Sequence, residues 1–200
     1  MPGERAAIEL VVGLGNPGPD YAATRHNAGF WFAEAFGRER DASFTADRRF
    51  FATTGSVRVG NRKVHIAMPT NYMNRSGQGA AAVARFYKID PTKMLIAYDE
   101  LDLPPGHIRL KRGGGHGGHN GLRDVIAQLG SSEFWRLRIG IGHPGHKSAV
   151  SAHVLKRAPA DQQRLIEEAI ELALREADTI IDGDMNVAMK ALNGHRPATD

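Results

Sequence analysis

Three short runs dense in aliphatic residues, Ile8 to Leu14, Met94 to Tyr98 and Leu137 to Ile141, stop at glycine or at an acid, and helix-like segments lie between them. Runs this brief and this apolar read as buried strands, and their alternation with helical periodicity implies an α/β protein with a sheet between helical layers. No low-complexity linker interrupts the 200 residues. That length suits one core, so a single domain over 1-200 is expected, with 1-7 and 195-200 frayed.

The remaining segments complete a twisted mixed β-sheet flanked by α-helices. Ala28 to Phe36 reads as a helix closed by Gly37. Phe51 to Val59 and Lys63 to Met68 read as a hairpin around Gly60-Asn61. Ser76 is placed to cap an alanine-rich helix, Gly79 to Tyr87, and His107 to Arg112 alternates apolar and basic residues as a half-exposed strand does. Leu122 to Leu129 is helical with Gly130 as its C-cap. Asp161 to Ile181 carries apolar residues at helical spacing, and a last helix lies near Met185 to Leu192. Val12 to Gly18 and Ile139 to Gly145 echo each other (VGLGNPG, IGIGHPG), which suggests neighbouring strands ending at one rim.

Composition narrows the function classes. Cysteine is absent, which removes disulfides, thiol nucleophiles and cysteine-ligated zinc. No stretch approaches the ~18 uninterrupted apolar residues of a membrane helix, and the first residues lack a secretory pattern, so a cytoplasmic protein is expected. The net charge is +4 and the pI about 9.6, with arginine in excess over lysine, a mild bias toward a polyanionic partner.

Glycine marks the places where chemistry can sit. Gly13-x-Gly15-x-x-Gly18 matches a dinucleotide fingerprint in form, but Pro17-Gly18-Pro19 prevents the helix that this motif requires. A strand-exit turn explains those glycines and leaves Asn16 unexplained. His26 and Asn27 precede a helix, and a histidine there is a cap or surface residue unless an acid orients it as a general base. Asp99, at the end of the apolar run to Tyr98, is such an acid; Glu100 and Asp102 follow it, and three acids so close could also hold magnesium. Six of the nine residues from Gly113 to Gly121 are glycine, too many for a packed element, so a loop that covers a site and brings Asn120 to it is expected. His116 and His119 lack a third metal ligand in sequence, which makes a metal site the poorer reading. Asn71 and Asn74 follow a strand in a further loop.

In order, the blocks GLGNPG, YAATRHNAG, MPTNYMNRSG, DELDLPPG, KRGGGHGGHNGL and RLRIGIGHPG resemble bacterial peptidyl-tRNA hydrolase, over Leu10 to about Leu155. The resemblance implies hydrolysis of the ester between a peptide, or an N-blocked aminoacyl group, and tRNA, without cofactor or metal. It implies His26 as catalytic base, Asp99 as its supporting acid and Asn16 at the position that distinguishes blocked from free aminoacyl groups. Tyr21, Tyr72, Asn74 and Asn120 match substrate-contacting positions, although the family more often has Phe at the place of Tyr72. Lys111 and Arg138 match a pair that grips a terminal tRNA phosphate. The implied partner is peptidyl-tRNA, through its acceptor stem and terminal adenosine, and a monomer is expected. An RNA-binding module without catalysis and a metal-dependent hydrolase using His116, His119 and the acids are the competing readings.

Overall fold

A computed structural model describes residues 6–198. Seven strands form one sheet in the order β2-β3-β4-β1-β5-β7-β6. They are β1 (Leu10–Gly13), β2 (Thr45–Asp47), β3 (Ala52–Val59), β4 (Arg62–Pro69), β5 (Met94–Glu100), β6 (Ile108–Arg112) and β7 (Trp135–Gly140). The central strands β4, β1, β5 and β7 are mutually parallel, while β2, β3 and β6 join the two margins antiparallel. Parallel strands must be covered on both faces. Their residues accordingly divide by alternation: Leu95 and Ala97 face one core, Ile96 and Tyr98 the other.

The helices are α1 (Ala28–Arg38), α2 (Ser76–Phe86), α3 (Asn120–Leu129), α4 (Val150–Val154), α5 (Ala160–Arg175), α6 (Ala177–Ile181) and α7 (Met185–Gly194). Phe32 and Phe36 of α1, Ile166 and Ile170 of α5, and Leu192 of α7 fill the first core. Ala80 and Val83 of α2 with Leu122 and Val125 of α3 fill the second. Among the described residues no helix is long and apolar enough to cross a membrane.

Several expectations need correction. Gly37 lies inside α1 instead of ending it; a side chain there would strike the Phe44 ring, so packing is what requires the glycine. Ser76 is the first helical residue of α2 and donates to the Met73 carbonyl (2.8 Å), so it does not act as the N-cap. Helix α3 begins at Asn120, inside the glycine-rich segment that seemed too flexible for helix. The long C-terminal helix breaks at Glu176. The two echoing strand ends, of β1 and β7, share a rim but are separated by β5. Ala7 is buried beneath the Gly183 turn and Ile8 N–H donates to the Ile181 carbonyl, so the chain is already anchored there. Residues 195–198 form no helix or strand, yet Pro197 lies against Gly106. The rest of the two expected frayed ends, residues 1–5 and 199–200, falls outside the described residues. β2 and α4 had no recognisable signal in the sequence: one has three residues, the other five.

Candidate active site

The C-terminal ends of β1, β4 and β5 converge on one rim, the position where open α/β sheets bind ligands. Alternation along β5 turns Asp99 toward the α1 face, in line with Leu95 and Ala97. His26 reaches it from the single turn Arg25–Asn27 that precedes α1. That turn is held close by two glycines. A Cβ on Gly29 would drive into the Ala97 carbonyl oxygen, and one on Gly13 into the Gly29 carbonyl oxygen. Asn27 ties the turn to the loop after β1: its Oδ1 accepts from Asn16 N–H (2.8 Å) and its Nδ2 donates to the Asn16 carbonyl (2.9 Å). Arg25, also buried, donates to the carbonyls of His153 (3.0 Å) and Lys156 (3.4 Å), fixing the turn against α4.

Asp99 is 3 % exposed and accepts from two imidazoles. His26 Nδ1 lies 2.8 Å from Oδ2 and 3.0 Å from Oδ1, and His119 Nε2 lies 2.8 Å from Oδ1. The His119 tautomer follows from its second bond. As N-cap of α3 its Nδ1 accepts from Leu122 N–H (3.2 Å), so the proton sits on Nε2 and points at Asp99. Burial alone would raise the Asp99 carboxyl, but the charges and hydrogen bonds of His26 and His119 outweigh it and hold the group far below the usual carboxylate range. Burial likewise pushes His26 down, and the Asp99 charge and hydrogen bond more than reverse this, leaving the imidazole above its ordinary value. With Asp99 ionised, His26 Nδ1 carries the proton and Nε2 keeps its lone pair.

The two imidazoles and Asp99 offer ligand atoms within 4.8 Å of one another, a set that a divalent ion could also use. Occupation by an ion would displace both hydrogen bonds, because tetrahedral ligands about 2.0–2.1 Å from a metal stand farther apart than 2.8 Å. Glu100 and Asp102 do not join this set. Glu100 accepts from Arg138 Nε (3.0 Å) on the opposite side of the strand, and Asp102 sits in the following loop with its N–H on Glu100 Oε1 (3.2 Å).

A cavity of about 670 Å³ opens beside this cluster. Asn16, Tyr21, His26, Tyr72, Asn74, Asp99 and Asn120 all line it, so seven of the nine sequence-selected residues come together. Asn16 is oriented by its partners: Oδ1 accepts from Met73 N–H (2.8 Å), which leaves Nδ2 without a partner among the described residues. Asn74 and Asn120 are exposed at the cavity wall, and Tyr21 meets Tyr72 edge-on with centroids 6.1 Å apart. Lys111 and Arg138 do not line the cavity. They lie on one face of the β6–β7 pair, since Lys111 opposes Arg136 and Arg138 opposes Arg109.

The residues that sequence reasoning left unassigned are instructive. His119 is legible in sequence only as a candidate metal ligand, and its place as the second donor to Asp99 depends on bringing α3 to the end of β5. Arg136, 2 % exposed, donates to the carbonyls of Gly114 and Gly115 and lies over the Phe134 ring at 4.9 Å, which anchors the glycine-rich loop at its start. His143, Lys147 and Ser151 close the cavity from the α4 side, and no motif distinguished them.

Comparison with known proteins gives the family. A protein-family model described as peptidyl-tRNA hydrolase matches residues 10–199. The peptidyl-tRNA hydrolase of Pseudomonas aeruginosa strain LESB58 is 51 % identical over 191 residues, covering 95 % of this chain and 98 % of that one. That of Aeromonas hydrophila is 50 % identical over 190 residues, with 94 % and 96 % covered. The crystal structure of peptidyl-tRNA hydrolase from Acinetobacter baumannii superposes with a TM-score of 0.94 at 48 % identity, covering 96 % of this chain and 98 % of that one.

Proposed function

Because the chain belongs to the peptidyl-tRNA hydrolase family and hydrolyses the ester of peptidyl-tRNA, we propose that His26 is the general base that activates water for the attack. The observation that carries this reading is the Asp99–His26 pair, with Nδ1 committed to the acid and Nε2 free. As Nε2 takes the proton from water, Asp99 stabilises the imidazolium, and His119 keeps Asp99 in place from the other side. An ester is activated enough for water and a base to suffice, so neither a nucleophilic side chain nor a cofactor is required.

Asn16 can act only as a donor toward the cavity, since Met73 N–H occupies its oxygen. It suits the developing oxyanion or the carbonyl of a blocked amino group, where one lost donor costs about 10²–10³ in rate. Asn74 and Asn120 offer both donor and acceptor to the peptide backbone, which reads no side chain, and Tyr21 and Tyr72 flank the terminal adenosine. Lys111 and Arg138 grip the terminal phosphate at the acceptor stem. A monomer in the cytoplasm fits this reading, as does the basic pI. Incubation with N-blocked and with free aminoacyl-tRNA tests it. Release from the blocked form is expected, His26→Ala should lower kcat by at least ~10² with tRNA binding kept, and wild-type turnover in that variant would refute the assignment.

A further inference from the structure

β6 ends the sheet, and its outer edge meets no further strand among the described residues. Leu110, at its centre, turns its backbone groups toward that edge, and one side chain takes both. Asn193 Oδ1 accepts from Leu110 N–H (2.7 Å), and Asn193 Nδ2 donates to the Leu110 carbonyl (3.0 Å). A neighbouring antiparallel strand would supply the same pair of bonds. The chain after α7 follows the edge in the direction opposite to β6, with Asn193 at Leu110 and Pro197 at Gly106. Leu192, fully buried, anchors the turn that presents Asn193. Two arginines take the last carbonyls of α7. Arg109 Nη1 donates to those of Ile108 (3.0 Å) and Leu192 (3.5 Å), and Arg196 Nη1 to those of His195 (2.9 Å) and Asn193 (3.4 Å).

We propose that Asn193 is a positioning residue for tRNA binding: standing in for a further strand, it fixes Lys111 relative to Arg138 so that both cations meet one phosphate. Lys111 directly follows Leu110, and Arg136 lies opposite it with Arg138 diagonally across on the same face. Its backbone is held on both sides, by Asn193 at Leu110 and by Gly113 N–H, which donates to the Phe134 carbonyl (3.0 Å). The side chain has no such tether. Lys111 Nζ and Arg136 Nη1 both border the space over Gly114, 3.1 and 3.8 Å from where a Cβ on that glycine would lie. Two cations so near repel, so the ammonium keeps its place only as far as the strand beneath it does. Protection of an edge against pairing would need only a charge or a bulge there; holding both groups of one residue also sets the path of the strand into Lys111.

This inference rests on the reading of Lys111 and Arg138 as the phosphate grip, and the test separates the two. N-acetyl-aminoacyl-tRNA and a short substrate lacking the terminal phosphate are hydrolysed over a range of salt by wild type, Asn193→Leu, Lys111→Ala and the double variant. Leucine is close to asparagine in shape and removes both bonds to Leu110. Asn193→Leu should raise KM on tRNA about three- to fivefold with kcat unchanged, and should lessen the slope of log K against log salt toward that of Lys111→Ala. Its turnover of the short substrate should match wild type, which reports a folded variant with an intact site. In the double variant KM should equal that of Lys111→Ala alone, because Asn193 acts through that residue. Unchanged KM and slope in Asn193→Leu, equal loss on both substrates, or a further loss in the double variant each overturn the proposal; the last would mean that the C-terminal segment touches tRNA itself. If Lys111→Ala itself leaves KM unchanged, the grip is misplaced and the proposal falls with it.

Discussion

Asp99→Asn tests the catalytic reading most sharply, because it removes a charge at nearly constant shape. The carboxylate accepts from His26 on both oxygens and from His119 on Oδ1. An amide has one oxygen, so one imidazole must face an NH₂ group. His119 cannot turn its tautomer without giving up the Leu122 N–H bond that caps α3, so the amide oxygen stays with His119. The NH₂ then faces His26 and drives its proton to Nε2, the nitrogen required for catalysis. Loss of the carboxylate charge also matters: a unit charge about 4 Å away at an effective dielectric near 20 contributes about 4 kcal/mol to the imidazolium, three powers of ten in rate. With the wrong tautomer added, the expected loss in kcat is about 10³–10⁴.

The pH dependence supplies an independent sign. As the proposed base His26 must be neutral to act, so the acid limb of the rate profile should follow its ionisation. In wild type burial lowers that ionisation and Asp99 more than compensates, so the limb lies above the usual histidine value. In Asp99→Asn the burial remains and the charge is gone; the limb should move to lower pH while the plateau falls. Single-turnover hydrolysis of N-acetyl-aminoacyl-tRNA across the neutral range measures both. A plateau within tenfold of wild type, or a limb that stays or moves upward, would refute the pairing.

Other outcomes follow from particular contacts. Asp99 is ionised more easily folded than unfolded, so the stability it contributes is present above its unfolded value and lost as pH falls through the folded one; the urea midpoint of wild type should fall toward that of Asp99→Asn in acid. Gly29→Ala pushes a methyl group into the Ala97 carbonyl and should destabilise the protein by about 3 kcal/mol in chemical denaturation; an unchanged midpoint would mean that α1 can move off the sheet. Arg136→Met frees the Gly114 and Gly115 carbonyls to water, which should cost about 1–3 kcal/mol and speed amide exchange across the glycine-rich loop; protection equal to wild type would show that the loop needs no anchor. Lys111→Ala and Arg138→Ala should chiefly raise KM and reduce the slope of log K against log salt by about 0.7–0.9 each, and equal losses on a substrate lacking the terminal phosphate would reject the clamp.

Much of the fold was legible because apolar runs ending in glycine leave few alternatives. β5 and the β3–β4 hairpin lie within one or two residues of their expected bounds. Glycine misled where its reason was packing: Gly37 reads as a helix stop because the Phe44 ring, seven residues further on, decides its identity and is not visible to local spacing. The site residues were legible as separate motifs, but their convergence was not. In sequence Asn27 only precedes a helix, and the structure alone gives it both hydrogen bonds to the Asn16 backbone. His119 looked like one half of a metal pair until α3 carried it to Asp99.

The three acids of Asp99-Glu100-Leu101-Asp102 show how a strand end sorts like residues. Alternation sends Asp99 to the α1 side and Glu100 to the side of Tyr98 and Arg138. At the rim no helix covers the strand, so Asp99 receives one imidazole from the turn before α1 and another from the start of α3. A single buried charge thereby joins the two layers at the point of reaction. Glu100, one residue on, already neutralises Arg138, whose side chain is 23 % exposed. A phosphate that binds Arg138 must therefore compete with a carboxylate at 3.0 Å. The proposed clamp would then be weaker than two free cations would make it, and product tRNA, which keeps the same terminal phosphate as the substrate, would leave more readily. Glu100→Gln should accordingly tighten tRNA and slow turnover at saturation, and a variant that only weakens binding would show that Glu100 serves to position Arg138 instead.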